Sequence, residues 1–404
     1  MNKQSASVRI LAIQALIRVL EKHHKADIVL EKLGVNLDVR DRGFLHELVL
    51  GVLRRFYSLE ADFSRFLKQK PDAEARMSLL IGTYQLRHMR VPVHAAVSEC
   101  VEAVKVFQPK AAGMVNAVLR KVSANEAPEK LKPYQRAELP KWLYAAWRDT
   151  FSQEVVQDFA HVLQVLPHLC VAVFVDREVW LKRVLDMGVE AWLGECSPYA
   201  VLLPAGTPVT LLPGFEAGDF TVMDQAAQMA VLALNAPDDG VILDVCAAPG
   251  GKTALLAHRF PQARVIAVEL NGKRIPRLKQ NISRLKCGNV SILQSDALHV
   301  PFLAESVDAI FLDAPCSASG ILRRHPDAKF LHDQAAVDGL AEVQQSILHA
   351  CLKTLKPHAN LVYAVCSIHP QENELVTDAV NVVASQRIFP SDSHDGFYWA
   401  AICR

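Results

Sequence analysis

Val241-Ile-Leu-Asp-Val-Cys-Ala-Ala-Pro-Gly-Gly-Lys-Thr253 is the stretch on which the fold of the C-terminal half turns. A short apolar, β-branched run is followed by a turn of small residues, and a helical pattern then continues through Arg259. That order reads as a buried strand, a tight turn and a helix N-terminus. Small turn residues let backbone amides approach a ligand closely, and the helix end adds partial positive charge suited to an anion.

Working outward, further apolar runs at 264–269, 290–294, 307–312 and 360–365 alternate with helical stretches. Such alternation predicts a mostly parallel sheet with helices on both faces. In such sheets ligands lie beyond the carboxyl ends of the strands. Acidic residues follow the first four strands: Asp244, Glu269, Asp296 and Asp313. Glu269 is placed to accept hydrogen bonds from ribose hydroxyls.

Two nucleotide readings compete for the loop. Gly251-Lys252-Thr253 resembles the end of a P-loop, yet Cys246 stands where the first glycine of that motif belongs, and no G-x-G-x-x-G is present. What remains suits a nucleoside with a short charged tail, such as S-adenosylmethionine. A glycine-rich turn without a ligand is the alternative.

Two cysteines sit at strand ends. Asp313-Ala-Pro-Cys316-Ser-Ala-Ser-Gly320 follows the fourth strand and Val365-Cys366-Ser367 follows the fifth. Neighbouring strands would bring both thiols into one pocket. Cys100, Cys170, Cys287 and Cys351 read instead as small buried hydrophobes. A paired thiol beside a methyl sulfonium suits methylation of a pyrimidine at carbon 5. A thiolate adding to carbon 6 makes carbon 5 nucleophilic, and a second thiol can assist release. A carboxyl group near ring nitrogen 3, Asp313 by position, would stabilise the developing charge.

The chain is half apolar (51%) and 22% charged, with a net charge of +1. This is globular composition, and about 150 residues per domain predicts two or three domains. The nine cysteines include no C-x-x-C pair, which predicts free thiols in a reducing compartment, the cytoplasm, and no metal site. The longest uncharged stretch, 196–215, carries four prolines and two glycines, so no membrane span is expected. Apolar residues near the N-terminus fall at helical spacing, interrupted by Arg9, Gln14 and Arg18, unlike a secretory signal.

Charge is unevenly spread. Residues 1–125 hold 20 Lys+Arg against 12 Asp+Glu, and 126–404 hold 24 against 31. A basic module joined to an acidic one points to a polyanion partner, with Arg54, Arg55, Arg65, Lys68, Lys70, Arg76, Arg87 and Arg90 the densest part. A solvated set of helix faces is the competing reading. Val8, Leu11, Ala12, Ala15, Leu16 and Val19 form a helical stripe, and 42–59, 75–89, 93–107 and 111–122 repeat that period. The expected domains are therefore 1–125, all-helical; 126–139, a proline-rich linker; 140–235, a small α+β segment; and 236–404, the parallel α/β domain.

The stretches 241–253 and 313–320, with Arg323-Arg-His-Pro-Asp327 and Tyr363-Ala-Val-Cys-Ser-Ile-His-Pro-Gln-Glu-Asn373, resemble the Sun/Fmu family of RNA cytosine-5 methyltransferases. The N-terminal region resembles the NusB-type RNA-binding domain that precedes the catalytic part in one member. The resemblance implies an all-α NusB-like domain, a small α+β RNA-recognition-like insert and a Rossmann-like methyltransferase domain. It implies Cys366 as the nucleophile and Cys316 as the thiol assisting release. It places Cys246, Ala247, Ala248, Pro249, Gly250, Gly251, Lys252, Glu269, Asp296 and Asp313 around S-adenosylmethionine. The implied substrate is a cytosine of bacterial 16S ribosomal RNA, alone or in an early small-subunit assembly intermediate; separately, a monomer is expected. Methylation of transfer RNA or 23S ribosomal RNA, a non-catalytic assembly factor, and a P-loop nucleotidase are the rivals. Three features depart from the family pattern: Val365 replaces the usual Thr, Glu269 and Asn271 replace acids of the family, and the 391–396 region is short.

Overall fold

The computed structural model describes residues 8–299 and 301–404; the first seven residues of the expected helical domain lie outside it. The chain divides into two units. One comprises the described residues up to Val165 together with Leu322–Asp333, and the other comprises Leu166–Ile321 with Gln334–Arg404.

In the first unit the helices Val8–Leu20, Ala26–Gly34, Val39–Arg54, Phe56–Ser64, Ala73–His88, Val93–Lys105 and Ala112–Ala124 enclose one apolar core. Of the N-terminal stripe, Val8, Ala12, Ala15, Leu16 and Val19 are buried, as is Ile13, while Leu11 packs at the core's margin. The helical period at 42–59 hides a break. Arg55 leaves helical geometry (φ −104°, ψ 21°) and separates two helices. Phe56, Leu59 and Phe63 keep the apolar spacing across it, so periodicity alone reads straight through.

Helices Lys141–Phe151 and Gln153–Leu163 belong to the same unit. Residues 126–139 close back on it through Glu138, whose buried carboxylate accepts the amides of Tyr57 and Ser58 at 2.8 and 3.2 Å. The 322–333 segment is bound in as well. Asp327 accepts the Ala26 amide at 2.9 Å, satisfying a donor at that helix N-terminus. Lys329, also buried, donates to the carbonyls of Glu138 (2.7 Å) and Arg54 (3.3 Å).

The second unit holds two sheets. Strands β1 (Leu169–Val173), β2 (Trp192–Leu193), β3 (Ala200–Leu203) and β4 (Phe220–Val222) form an antiparallel sheet in the order β2-β3-β1-β4. Trp180, on helix Arg177–Asp186, fills its core with Val171, Val173 and Phe220.

The large sheet contains β5 (Val241–Val245), β6 (Arg264–Glu269), β7 (Val290–Gln294), β8 (Val307–Asp313), β9 (Leu355–Val365), β10 (Val382–Ile388) and β11 (Phe397–Cys403). Their order is β10-β11-β9-β8-β5-β6-β7. All five expected strands are present and parallel, with β8 beside β9 so that Asp313 pairs with Ala364. The antiparallel β10–β11 pair adds to the edge at β9. Successive residues alternate between two cores, as a pleated strand requires. Ile242, Phe311, Val362 and Ala364 meet helices Gln225–Leu232 and Gly251–Arg259 on one face. Leu243, Leu312, Tyr363 and Val365 meet helix Gln334–Thr354 on the other. The expected architecture, an all-helical N-terminal unit and a Rossmann-like mostly parallel domain, is what the chain adopts.

Candidate active site

The carboxyl ends of β5, β6, β8 and β9 carry the predicted residues. After β5, Cys246 adopts a left-handed conformation (φ 65°) and Gly250 another (φ 101°). A Cβ on Gly250 would lie 2.7 Å from Leu278 Cδ1, so glycine is demanded by both backbone and space. Helix Gly251–Arg259 starts directly after it. Glu269, at the end of β6, is buried, and its carboxylate gathers the amides of Ala248 (3.2 Å) and Asn271 (2.9 Å) and the Arg274 guanidinium (3.1 Å). Arg274 also donates to the Ala248 carbonyl, tying the turn to β6.

Asp244 is fully buried. Its Oδ2 accepts the Thr253 hydroxyl, while Oδ1 has no partner. Burial, reinforced by the nearby Asp313 charge, raises its pKa to about 7. Burial likewise raises the Cys246 thiol. Asp296 lies beyond β7, part-exposed, with its carboxylate on the Leu298 amide, and it bonds directly to none of the other predicted residues.

These features fit S-adenosylmethionine. The Gly250–Gly251 turn opens a helix N-terminus, which favours an anion, at the carboxyl end of β5, and the Glu269 carboxylate at the end of β6 fixes that turn through the Ala248 amide.

Lys252 and Asp313 are joined by a 2.8 Å ion pair. Burial would lower the lysine pKa, but the Asp313 charge and hydrogen bond, with Cys366 adding to them, raise it. Lys252 Nζ also lies 5.8 Å from the Phe397 ring centroid.

Cys316 Sγ and Cys366 Sγ are 3.3 Å apart, so the two thiols share one site. The Cys316 thiol is held well above its ordinary range by the hydrogen bond to Cys366 and by burial. Gly320 secures this arrangement, donating its amide to the Cys366 carbonyl at 3.0 Å and accepting the Gly396 amide at 2.8 Å. A Cβ on Gly320 would fall 2.2 Å from the Gly396 carbonyl oxygen. The short 391–396 segment thus abuts the Cys316 loop. Val365, the residue before Cys366, is fully buried among apolar side chains and points into the core rather than the site.

Cys100, Cys170 and Cys351 are buried, as expected for structural cysteines, while Cys287 is only half-buried. All nine cysteines are free. Among the described residues, no cluster of His, Cys, Asp and Glu could hold a metal ion, and no helix is long and apolar enough to cross a membrane.

Several polar side chains behind the thiols were not singled out by the sequence: Ser317, Ser367, Glu372 and Gln344, all buried. Glu372 lies within the quoted 363–373 motif, but its role depends on which loops meet it in space. Arg274 was missed as well; nothing in its surroundings marks it as a partner of Glu269.

In the helical unit, most of the dense basic set is internally engaged. Arg65 and Arg87 both pair with Asp62 at 2.7 Å, and Arg76 pairs with Glu60 at 2.5 Å. Arg55 bonds to Gln164, and buried Arg54 donates to the Arg323 carbonyl at 3.0 Å. Lys68, Lys70 and Arg90 stay exposed.

The chain matches known proteins along its length. A family model described as 16S rRNA methyltransferase RsmB/F matches residues 231–395, and one described as NusB family matches 6–124. A ribosomal RNA small subunit methyltransferase B of Cronobacter sakazakii is 36% identical over 92% of this chain and 89% of its own. The protein of that name from Photorhabdus laumondii is 33% identical over the whole of both. Among solved structures, PH0851 superposes with a TM-score of 0.82 at 18% identity, covering 100% of both chains. NSun6 from Pyrococcus horikoshii with SFG superposes with a TM-score of 0.59 at 19% identity, covering 65% of this chain and 98% of that one. At such identities these structures speak for the fold. With the strand-end cradle and a full-length relative above a third identical, the chain belongs to the 16S rRNA methyltransferase RsmB/F family of S-adenosylmethionine-dependent enzymes.

Proposed function

We propose that this enzyme methylates carbon 5 of a cytosine in 16S ribosomal RNA through a covalent bond between Cys366 and carbon 6 of the ring. The observation that carries the reading is the 3.3 Å contact between Cys316 and Cys366 at the ends of adjacent strands, beside the Lys252–Asp313 pair.

S-adenosylmethionine, when bound, supplies an electrophilic methyl group on sulfur. Residues 246–252, Glu269, Asp296 and Asp313 would hold it. The Cys366 thiolate adds to carbon 6, and its lone pair becomes the sulfur–carbon bond as electron density moves to carbon 5 and the ring carbonyl and nitrogen 3. The Lys252 ammonium, held in place by Asp313, faces the negative charge that develops there. Carbon 5 takes the methyl group as the sulfur–methyl bond of the donor breaks, leaving a neutral thioether, and later gives up its proton to a base. The sulfur–carbon bond then breaks, and Cys366 departs as thiolate. Cys316, kept protonated, donates its S–H to that sulfur and stabilises the departure.

The helical unit supplies RNA affinity, and the substrate is naked RNA or an early small-subunit particle in bacterial cytoplasm. The decisive experiment incubates the full-length protein with 16S ribosomal RNA and labelled S-adenosylmethionine, then maps 5-methylcytosine by mass spectrometry. Label on any other atom or RNA overturns the proposal. The enzyme is expected to act as a monomer.

A further inference from the structure

Besides the direct bonds that Gly320 and Ser319 make between the two cysteine loops, one buried carboxyl group bonds to both. Glu372 is fully buried. Its Oε1 accepts the Ser317 amide at 2.8 Å and the Gln344 side-chain amide at 3.0 Å. Its Oε2 accepts the hydroxyls of Ser317 and Ser367, each at 2.5 Å. Ser317 follows Cys316 and Ser367 follows Cys366, so one carboxyl group bonds the residue next to each thiol.

The surroundings keep that group in place. Gln344, on helix Gln334–Thr354, also donates to the Pro315 carbonyl at 2.8 Å and accepts the Tyr363 hydroxyl at 3.0 Å. The Tyr363 hydroxyl lies 2.6 Å from the Glu372 carbonyl. Ser319 lies 2.9 Å from the Ser367 hydroxyl and accepts the Ile368 amide at 3.1 Å. A carboxylate offers about four acceptor positions, and here four donors occupy them. Packing by apolar side chains would join the loops without fixing their register. Directional bonds at both fix it to within a fraction of an ångström.

We propose that Glu372 is a positioning residue that sets the separation of Cys316 and Cys366. Buried, it touches neither RNA nor cofactor. It acts through Ser317 and Ser367, keeping the Cys316 S–H within reach of the Cys366 sulfur. The inference deepens the covalent mechanism proposed above, but the thiol spacing is measurable without RNA chemistry.

The test uses the full-length protein and diamide, a diazene that takes two electrons and two protons from a thiol pair and leaves a disulfide and a hydrazine. The 316–366 cross-linked peptide is followed by mass spectrometry against time. Wild type should form it readily. Glu372→Ala should form it at least about tenfold more slowly, Glu372→Gln, which keeps one acceptor oxygen, at an intermediate rate, and affinity for S-adenosylhomocysteine should not change. Cross-linking of Glu372→Ala at the wild-type rate overturns the inference. If Glu372→Ala fails to fold, Ser317→Ala and Ser367→Ala take its place: slower cross-linking at unchanged Tm supports the clamp, and a wild-type rate in both overturns it. Failure of the covalent mechanism would register separately, as normal cross-linking in wild type with no RNA adduct.

Discussion

Cys316 Sγ and Cys366 Sγ lie 3.3 Å apart although fifty residues separate them in the chain. The contact arises because β8 and β9 are parallel neighbours whose carboxyl ends finish level, with Asp313 beside Ala364. The bond to Cys366 and burial raise the Cys316 thiol well above its ordinary range, which favours its S–H form over the thiolate.

The two thiols should therefore fail differently. Cys366→Ala should give neither 5-methylcytosine nor an adduct. Cys316→Ala should accumulate protein bound to RNA through sulfur, visible as a retarded band on denaturing gels with labelled RNA. An adduct formed by Cys366→Ala would reverse the assignment.

Gly250→Ala should weaken binding of S-adenosylhomocysteine by about tenfold or more, read by calorimetry. The substitution imposes a left-handed backbone on a residue with a Cβ, costing about 1–3 kcal/mol, and drives that Cβ to 2.7 Å from Leu278. Gly339→Ala, inside helix Gln334–Thr354 with nothing within 4 Å, is the control, and it should instead stabilise the protein by about 0.5–1 kcal/mol.

Asp244 should make stability depend on pH. Its carboxyl titrates near 7 when folded against 3.8 for the ordinary group. Between those values the folded state binds more protons, so its contribution is complete below about pH 4 and is lost as pH rises through 7. Asp244→Asn, which resembles the protonated form, should flatten the fall in Tm between pH 4 and pH 7 by several degrees in calorimetric scans. An unchanged slope would contradict the assignment.

Lys329→Ala should destabilise the protein by about 3 kcal/mol in urea denaturation, because it strands the buried Glu138 carboxylate without its nearby cation. Glu138→Gln in the same background should recover part of the loss. No recovery would show that the lysine's bonds to the carbonyls of Arg54 and Glu138 matter more than the charge.

Arg65, Arg76 and Arg87 are committed to ion pairs, so phosphate contacts should fall to exposed groups such as Lys68, Lys70 and Arg90. Replacing those three with Gln should reduce the salt dependence of RNA affinity by a slope of at most about 2–3, while cofactor affinity is unchanged. An unaltered slope would place the RNA on another surface.

Much of this was readable in one dimension. The strand at 241–245, its glycine turn and the acids that follow successive strands are local patterns, and local pattern determines a strand–turn–helix unit because backbone geometry and burial set it within a few residues. The two cysteines could be placed at strand ends for the same reason. The helix break at Arg55 was hidden because apolar spacing continued across it.

Which basic side chains remain available was decided only in three dimensions, since an arginine's partner, such as Asp62 for both Arg65 and Arg87, is set by packing between helices. The same holds for the 322–333 segment, which follows the Cys316 loop in sequence yet is bonded into the helical unit through Asp327 and Lys329. It holds above all for Glu372, an ordinary acid in sequence. Its four bonds come from loops and a helix far apart along the chain, and hydrogen-bond geometry at that point exists only once the sheet has brought those segments together.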